Sequence, residues 1–195
     1  MTIKIKEPSV IKNVFDIKDF YELMAHCRQG LDSENASFDF QKSRWLFNDD
    51  KLQEYGNKLL PLAREIFESD TLLVSNTLFA HYFDKAKLPK HLDNNACTYS
   101  LDLCIYQNEP WDIGVTHNDK DKFYTLMPNE ALAFYGNDQQ HWRPSFPNPS
   151  SNKVGMIFFH FVEPDHWFFT KGKEYVYVLS NSMTEEQWKE KYKKD

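Results

Sequence analysis

Cysteine is scarce in this chain of 195 residues. The three present, Cys27, Cys97 and Cys104, form an odd set without metal-type spacing, which argues against a disulfide framework. A basic stripe is also missing. The formal net charge is -6, and the lysines of the terminal KEKYKKD are interleaved with acids, so nucleic acid is not an expected partner. No apolar run reaches membrane-spanning length, and the opening MTIKIKEPSV lacks the apolar core of a signal peptide. The expectation is a chain without a membrane partner in a reducing cytoplasm. Repeats, low-complexity tracts and linkers are absent too, so residues 1–195 are expected to form a single domain with a sizeable core. What the chain does have is apolar material. Hydrophobic residues make up 41% and aromatic ones 16%, which places it among globular proteins.

Residues 1–70 read as mostly helical support. DIKDFYELMAHCRQG sets Ile17, Phe20, Tyr21 and Met24 at helical spacing and stops at Gly30. DDKLQEYGNKLLPLAREIFESD is a second helical stretch, broken or restarted at Pro61. From Thr71 the pattern changes to short strands: TLLVSNTLFAHYF, TYSLDLCIYQ, EALAFYG, HWRPS, KVGMIFFHFV and EYVYVLS, parted by Pro, Asn, Asp and Gly clusters. A last helix over 183–195 begins at a capping box with Thr184 as cap and Gln187 three residues on. Helices first and strands after predict a mainly β fold, a sandwich or cupin-like jelly roll over 71–182 with helices covering one sheet.

LPKHLDNNACTYSLDLCIYQN raises the question of function. His91 and Asp93, two residues apart, would share a strand face, and one imidazole with one carboxylate is a partial metal site. With seven histidines and 29 acids in the chain, His-x-Asp/Glu arises about once by chance. This chain has a second copy, His117-Asn118-Asp119, inside the hydrophilic THNDKDK, which reads as a loop. A two-His-one-carboxylate centre needs a further histidine from a distant strand. His141 opens a strand after EALAFYG. The chain between Asp93 and His141 has room for about four strands, and that between Asp119 and His141 does not. His91 and Asp93 are the better pair.

From about residue 71 to 162 the pieces HLD, CIYQN followed by PW, LAFYGNDQQH and NKVGMIFFHFV occur in an order that resembles the 2-oxoglutarate/Fe(II)-dependent oxygenases, closest to the prolyl 4-hydroxylase-like branch. The resemblance implies a double-stranded β-helix with His91, Asp93 and His141 as metal ligands. It implies that Lys153 and Tyr106 hold the distal carboxylate of 2-oxoglutarate; Arg143, two residues past His141 and so on the same strand face, is a rival cation whose fork of donors also suits a carboxylate. It also implies Fe(II) and dioxygen, and hydroxylation of an unactivated C–H in a small-molecule, peptide or protein substrate, prolyl or other, with succinate and carbon dioxide released. The chain departs from the family in reading WDIGVTHND where a Gly-Gly-x-Leu strand is usual, which leaves the strands between 111 and 127 open.

Alternation in YSLDLCIY puts Tyr99, Leu101, Leu103 and Ile105 on one face, beneath the helices, and Ser100, Asp102, Cys104 and Tyr106 on the other, lining the site. Lys153, Gly155, Ile157 and Phe159 share a face, read as barrel interior. Arg143 could instead pair with Asp102. Tyr82, Asp102 and Trp111 are candidate substrate contacts, with plain core as the alternative for Tyr82 and a packing anchor for Trp111. His26, His81, His160 and His166 read as structural or exposed, and Cys97 and Cys104 as small buried residues. Substrate would be met by loops around 31–44, 83–90 and 112–125. Two other readings stay open: a metal cupin enzyme that does not use 2-oxoglutarate, and a non-catalytic jelly-roll binding module.

Overall fold

The computed structural model describes residues 6–31, 37–38, 43–47, 49–83, 85–146 and 153–169. The strand expected at EYVYVLS, the helix expected from Thr184, and most of the loop over 31–44 lie outside the described residues. In chain order the elements are β1 (Ser9–Lys12), α1 (Ile17–Gly30), β2 (Ser37–Phe38), β3 (Ser43–Phe47), α2 (Asp50–Lys58) and α3 (Leu60–Phe67). Then follow β4 (Leu73–Phe83), β5 (Leu88–His91), a 3-10 turn (Asn95–Cys97), β6 (Tyr99–Gln107), β7 (Ile113–His117) and β8 (Lys120–Tyr124). β9 (Glu130–Phe134), β10 (His141–Arg143) and β11 (Lys153–Val162) complete them.

The helices start and stop where their chemistry dictates. Asp16 caps α1 by accepting from the Asp19 amide at 2.9 Å, and Asp49 caps α2 by accepting from Lys51 and Leu52. Pro61 sits in the first turn of α3, where a missing N–H costs nothing. In α1 the buried stripe is Phe20, Leu23 and Cys27, while Ile17 and Tyr21 face solvent. The expected face therefore needs correction. It is rotated toward Leu23 and Cys27, which fill the space above the sheet.

Among the described residues, eleven strands form two sheets, ordered β1-β9-β6-β11-β4-β3-β2 and β5-β10-β7-β8. Every pairing is antiparallel. The helices cover the outer face of the large sheet, where Tyr99, Leu101, Leu103, Ile105, Ile157 and Phe159 pack against Leu23, Leu52, Tyr55 and Ala63. The inner face meets the small sheet. Ala80, Tyr82, Cys104, Met156 and Phe158 from one sheet share a core with Ile113 and Val115 from the other. Removing Leu101 from the first core by Leu101→Ala would cost about 2–5 kcal/mol. This is a jelly roll with helices on one sheet, as the run of helices and strands predicts. No helix among the described residues is long and apolar enough to cross a membrane.

THNDKDK is not a loop but the tip of a hairpin. β7 pairs β8 from Ile113↔Tyr124 to His117↔Lys120, and Asn118 and Asp119 both take left-handed backbone with φ of 49° and 58°. That is the geometry a two-residue hairpin turn requires, and asparagine and aspartate tolerate it better than most residues. It also supplies the strand left open between residues 111 and 127.

Candidate metal centre

β5 and β10 run side by side in the small sheet, and His91 is directly opposite His141 in their register. The two imidazole centroids are 4.2 Å apart. Asp93 lies just past the end of β5, so the strand alone does not aim it. Its amide donates to the Gly136 carbonyl at 2.9 Å, which ties it to the loop joining β9 and β10. A side chain on Gly136 would come within 2.5 Å of the Cys97 carbonyl and 2.6 Å of Asp93 Oδ2. Glycine there leaves room for the carboxylate.

His91, Asp93 and His141 converge on one point. Asp93 Oδ1 lies 3.4 Å from His91 Nε2 and 3.6 Å from His141 Nε2. Those separations are long for hydrogen bonds. They are near the roughly 3 Å spacing of neighbouring donors around an ion bound at about 2.1 Å. Each ring's other nitrogen is engaged with a backbone carbonyl. His91 Nδ1 meets Pro89 O at 2.8 Å, and His141 Nδ1 meets Gln139 O at 3.0 Å. A carbonyl only accepts, so each Nδ1 carries the proton and each Nε2 offers a lone pair toward Asp93. This is the arrangement that orients histidine for a metal. Two imidazole nitrogens, borderline donors, and one carboxylate oxygen, a hard one, suit a ferrous ion with positions left open for other ligands.

The electrostatics agree. Burial lowers His91, with His141 adding to the effect. For His141 burial acts the same way but Asp93 outweighs it and raises the ring. Burial would raise the Asp93 carboxyl, yet the two imidazoles, His141 foremost, hold it below the usual carboxylate range. Behind it, Cys97 and His160 come close enough to Asp93 to form a second potential donor group. His160 Nδ1 meets Asn76 Oδ1 at 2.6 Å, and burial lowers this ring to about 4, so it stays neutral. Its nearness to Asp93 is a feature that the sequence pattern does not reveal.

Arg143 lies on β10 two residues beyond His141 and is 2% exposed. Its Nη1 donates to the Trp111 carbonyl at 2.6 Å, Nη2 approaches Met156 Sδ at 3.7 Å, and Nε has no partner among the described residues. The guanidinium lies 5.0 Å from the Trp111 ring, which in turn packs against Tyr82 with centroids 5.1 Å apart. Trp111 is anchored by its own donation to the Pro144 carbonyl at 2.7 Å. Asp102 also faces inward, accepting from Ser100 Oγ at 2.7 Å, and burial pushes its carboxyl up to about 7. Arg143 and Asp102 influence each other electrostatically, but no carboxylate among the described residues pairs with Arg143 within 4 Å.

Lys153 and Tyr106 are elsewhere, and the expected alternation fails for a physical reason. In the pairing of β6 with β11, Gly155 lies opposite Tyr106 and Met156 opposite Cys104, so Ile105 is an extra residue in a β-bulge. Beyond the bulge the faces exchange. Ile105 and Tyr106 both turn to the helix side, where Tyr106 packs against Phe79 and lies under Arg28 of α1. Lys153 and Gly155 share that outer face with Ile157 and Phe159, not the barrel interior. The large sheet separates both residues from His91, Asp93 and His141. His117 and Asp119 also stay out of the centre. His117 Nδ1 meets Gln139 Nε2 at 3.0 Å, and Asp119 is exposed at the hairpin tip.

No family model and no curated protein matches the chain. Solved structures do share its fold. The non-heme alpha ketoglutarate dependent epimerase SnoN from nogalamycin biosynthesis superposes with a TM-score of 0.66 at 9% identity, covering 80% of this chain and 77% of that one. HygX from Streptomyces hygroscopicus, solved with nickel and 2-oxoglutarate bound, gives 0.63 at 9% identity over 81% and 83%. A Pseudomonas putida prolyl-4-hydroxylase gives 0.60 at 13% identity over 78% and 91%. The fold shared with these structures is the double-stranded β-helix.

Proposed function

We propose that this chain is an Fe(II)- and 2-oxoglutarate-dependent dioxygenase that hydroxylates an unactivated C–H of a prolyl or other amino-acid side chain, free or in a peptide or protein. The observation that carries the reading is the pair of histidines whose Nδ1 protons are held by the Pro89 and Gln139 carbonyls. This leaves two Nε2 lone pairs and Asp93 Oδ1 facing one point. His91, Asp93 and His141 would hold the iron. Bound there with 2-oxoglutarate and dioxygen, iron supplies the oxidation that gives succinate, carbon dioxide and an alcohol.

The chain's own residues supply grip and aim. Arg143 is the proposed partner for the distal carboxylate of 2-oxoglutarate, because it is the buried cation on the strand that carries His141 and its Nε lacks a partner among the described residues. A fork of donors matches a carboxylate. Lys153 and Tyr106 are not assigned this role, since they open on the other face of the sheet. Tyr82, Trp111 and Asp102 are proposed to border the substrate. Asp102, with its carboxyl near 7, can hold or release a proton at neutral pH. The fold is common to an epimerase and a prolyl hydroxylase, so the amino-acid substrate rests on the sequence resemblance.

The test is a screen of free amino acids and short peptides, with iron, 2-oxoglutarate and air, for a mass gain of one oxygen and matching succinate. A product with succinate in equal amount supports the reading. Oxidation without consumption of 2-oxoglutarate would make the chain a metal cupin enzyme instead. No iron bound after anaerobic reconstitution would leave a binding module.

A further inference from the structure

Behind the candidate iron centre is a second set of donors that the proposed chemistry does not use. Asp93, Cys97 and His160 each place a ligand atom within 4.8 Å of the other two. Cys97 and His160 are buried, at 5% and 6% exposure. The two carboxylate oxygens of Asp93 face different ways. Oδ1 lies 3.4 Å from His91 Nε2 and 3.6 Å from His141 Nε2, while Oδ2 borders the gap that Gly136 leaves beside the Cys97 carbonyl.

The neighbouring elements fix these donors. In the pairing of β4 with β11, His160 is opposite Asn76 and Phe161 opposite Val74, so Ser75 is the extra residue of a β-bulge. Ser75 Oγ donates to the Ala96 carbonyl at 2.5 Å, which ties down the 3-10 turn that carries Cys97. Asn94 caps the same turn by accepting from the Ala96 amide at 2.9 Å. Asn76, itself buried, reaches both donors. Its Oδ1 is 2.6 Å from His160 Nδ1, and its Nδ2 is 3.9 Å from Cys97 Sγ. An amide oxygen only accepts, so His160 carries its proton on Nδ1 and offers the lone pair of Nε2. An amide N–H aimed at sulfur favours the thiolate. One residue thus orients two ligands, the role that outer-shell partners play in metal sites.

We infer that Asp93, Cys97 and His160 form a second metal site, one that takes zinc and shares Asp93 with the candidate iron centre. Thiolate, imidazole and carboxylate are ligands zinc uses, at about 2.3, 2.0 and 2.1 Å. Donors around one such ion lie roughly 3.3–3.6 Å apart, so the three need to close by at most about 1.5 Å. Sulfur selects zinc over harder ions. Ferrous iron ranks below cobalt and zinc for such donors, so the count of one iron per chain is unaffected. Burial holds the Cys97 thiol well above its ordinary value, with Asp93 adding to the effect, so its proton passes to solvent when the ion binds. The site uses neither His91 nor His141, and it stands if the proposed oxygenase reading fails.

The experiment uses the full chain carrying His91→Ala, which removes a ligand of the first centre. The protein is kept reduced with a phosphine and titrated anaerobically with Co(II) as the visible stand-in for zinc. One cobalt per chain should bind with a thiolate-to-metal charge-transfer band, and zinc should displace it. Adding Cys97→Ser should remove the band. Cys97→Ser and His160→Gln should each weaken cobalt by more than the roughly 10–100-fold that losing a supporting group costs. Adding Cys104→Ala should leave band and affinity unchanged, since Cys104 is on β6 and outside the cluster. X-ray absorption at the zinc edge of the zinc-loaded His91→Ala chain needs no further substitution and should show one sulfur at about 2.3 Å. A shell of nitrogen and oxygen alone, a band that survives Cys97→Ser, or no cobalt bound would overturn the inference.

Discussion

His91-Leu92-Asp93 and His117-Asn118-Asp119 are the same three-residue pattern with opposite fates. The first copy ends β5 inside the fold. Its histidine is opposite His141, and its aspartate is held by Gly136. The second straddles a hairpin tip where left-handed backbone at Asn118 and Asp119 sends the carboxylate to solvent. The ring of His117 lies between two side-chain amides, Gln139 Nε2 at 3.0 Å from Nδ1 and Asn118 Nδ2 at 3.1 Å from Nε2. Convergence of an imidazole and a carboxylate is thus made by what the surrounding strands fix, and the tripeptide alone decides little. Gln139 links the two copies: its carbonyl orients His141, while its side chain holds His117.

The largest effect that could break this comparison is on turnover. Asp93→Ala or His141→Ala should abolish succinate formation, whereas Asp119→Ala should leave it within about twofold, since an exposed residue far from the site acts only through small stability changes. Succinate assays on the three purified variants would check it. Next comes Gly136→Ala, which should loosen iron binding by about 10–100-fold, as disturbing the support of a ligand does. Iron titration of the variant measures this, and wild-type affinity would show that Asp93 is aimed without that close approach.

Arg143 against Lys153 sharpens the contrast between the two sheet faces. A charge-assisted bond to carboxylate is worth about 1.5–3 kcal/mol, so Arg143→Ala should raise the 2-oxoglutarate requirement roughly tenfold or more. Lys153→Ala should leave 2-oxoglutarate saturation near wild type. The reverse ranking would place the cosubstrate by the alignment of Lys153 and against the geometry.

How much of this could be read from the chain depends on whether local pattern or long-range pairing decided it. Strands β4, β6, β10 and β11 were legible because their apolar content and their Pro, Asn, Asp and Gly boundaries are local. His91, Asp93 and His141 were legible as candidates because strand counting between them is also local. The Ile105 bulge was not, because a bulge is defined by the partner strand, and one extra residue reversed the expected faces of Tyr106. The face of α1 was misjudged for a similar reason. Ile17 and Phe20 are equally apolar, and only the sheet beneath decides that Phe20 is buried. Gly136 has no signal in one sequence, since its role is to make room for residues far away in the chain.

The smallest expected effect is acid sensitivity. His81 titrates near 4 in the folded chain against about 6.5 unfolded, so unfolding takes up a proton between those values. Its contribution to stability is complete above about pH 6.5 and lost as pH falls toward 4. Melting temperature should therefore fall over that window, and less steeply in His81→Gln. Identical slopes for the two proteins would show that the sheet's outer face does not keep this ring neutral.

The central claim, that His91 and not His117 belongs to a metal centre, is tested most directly by anaerobic Fe(II) binding to three proteins side by side. Wild type and His117→Ala should each bind one iron per chain with similar affinity, and His91→Ala should bind none. Iron retained by His91→Ala and lost from His117→Ala would contradict the account.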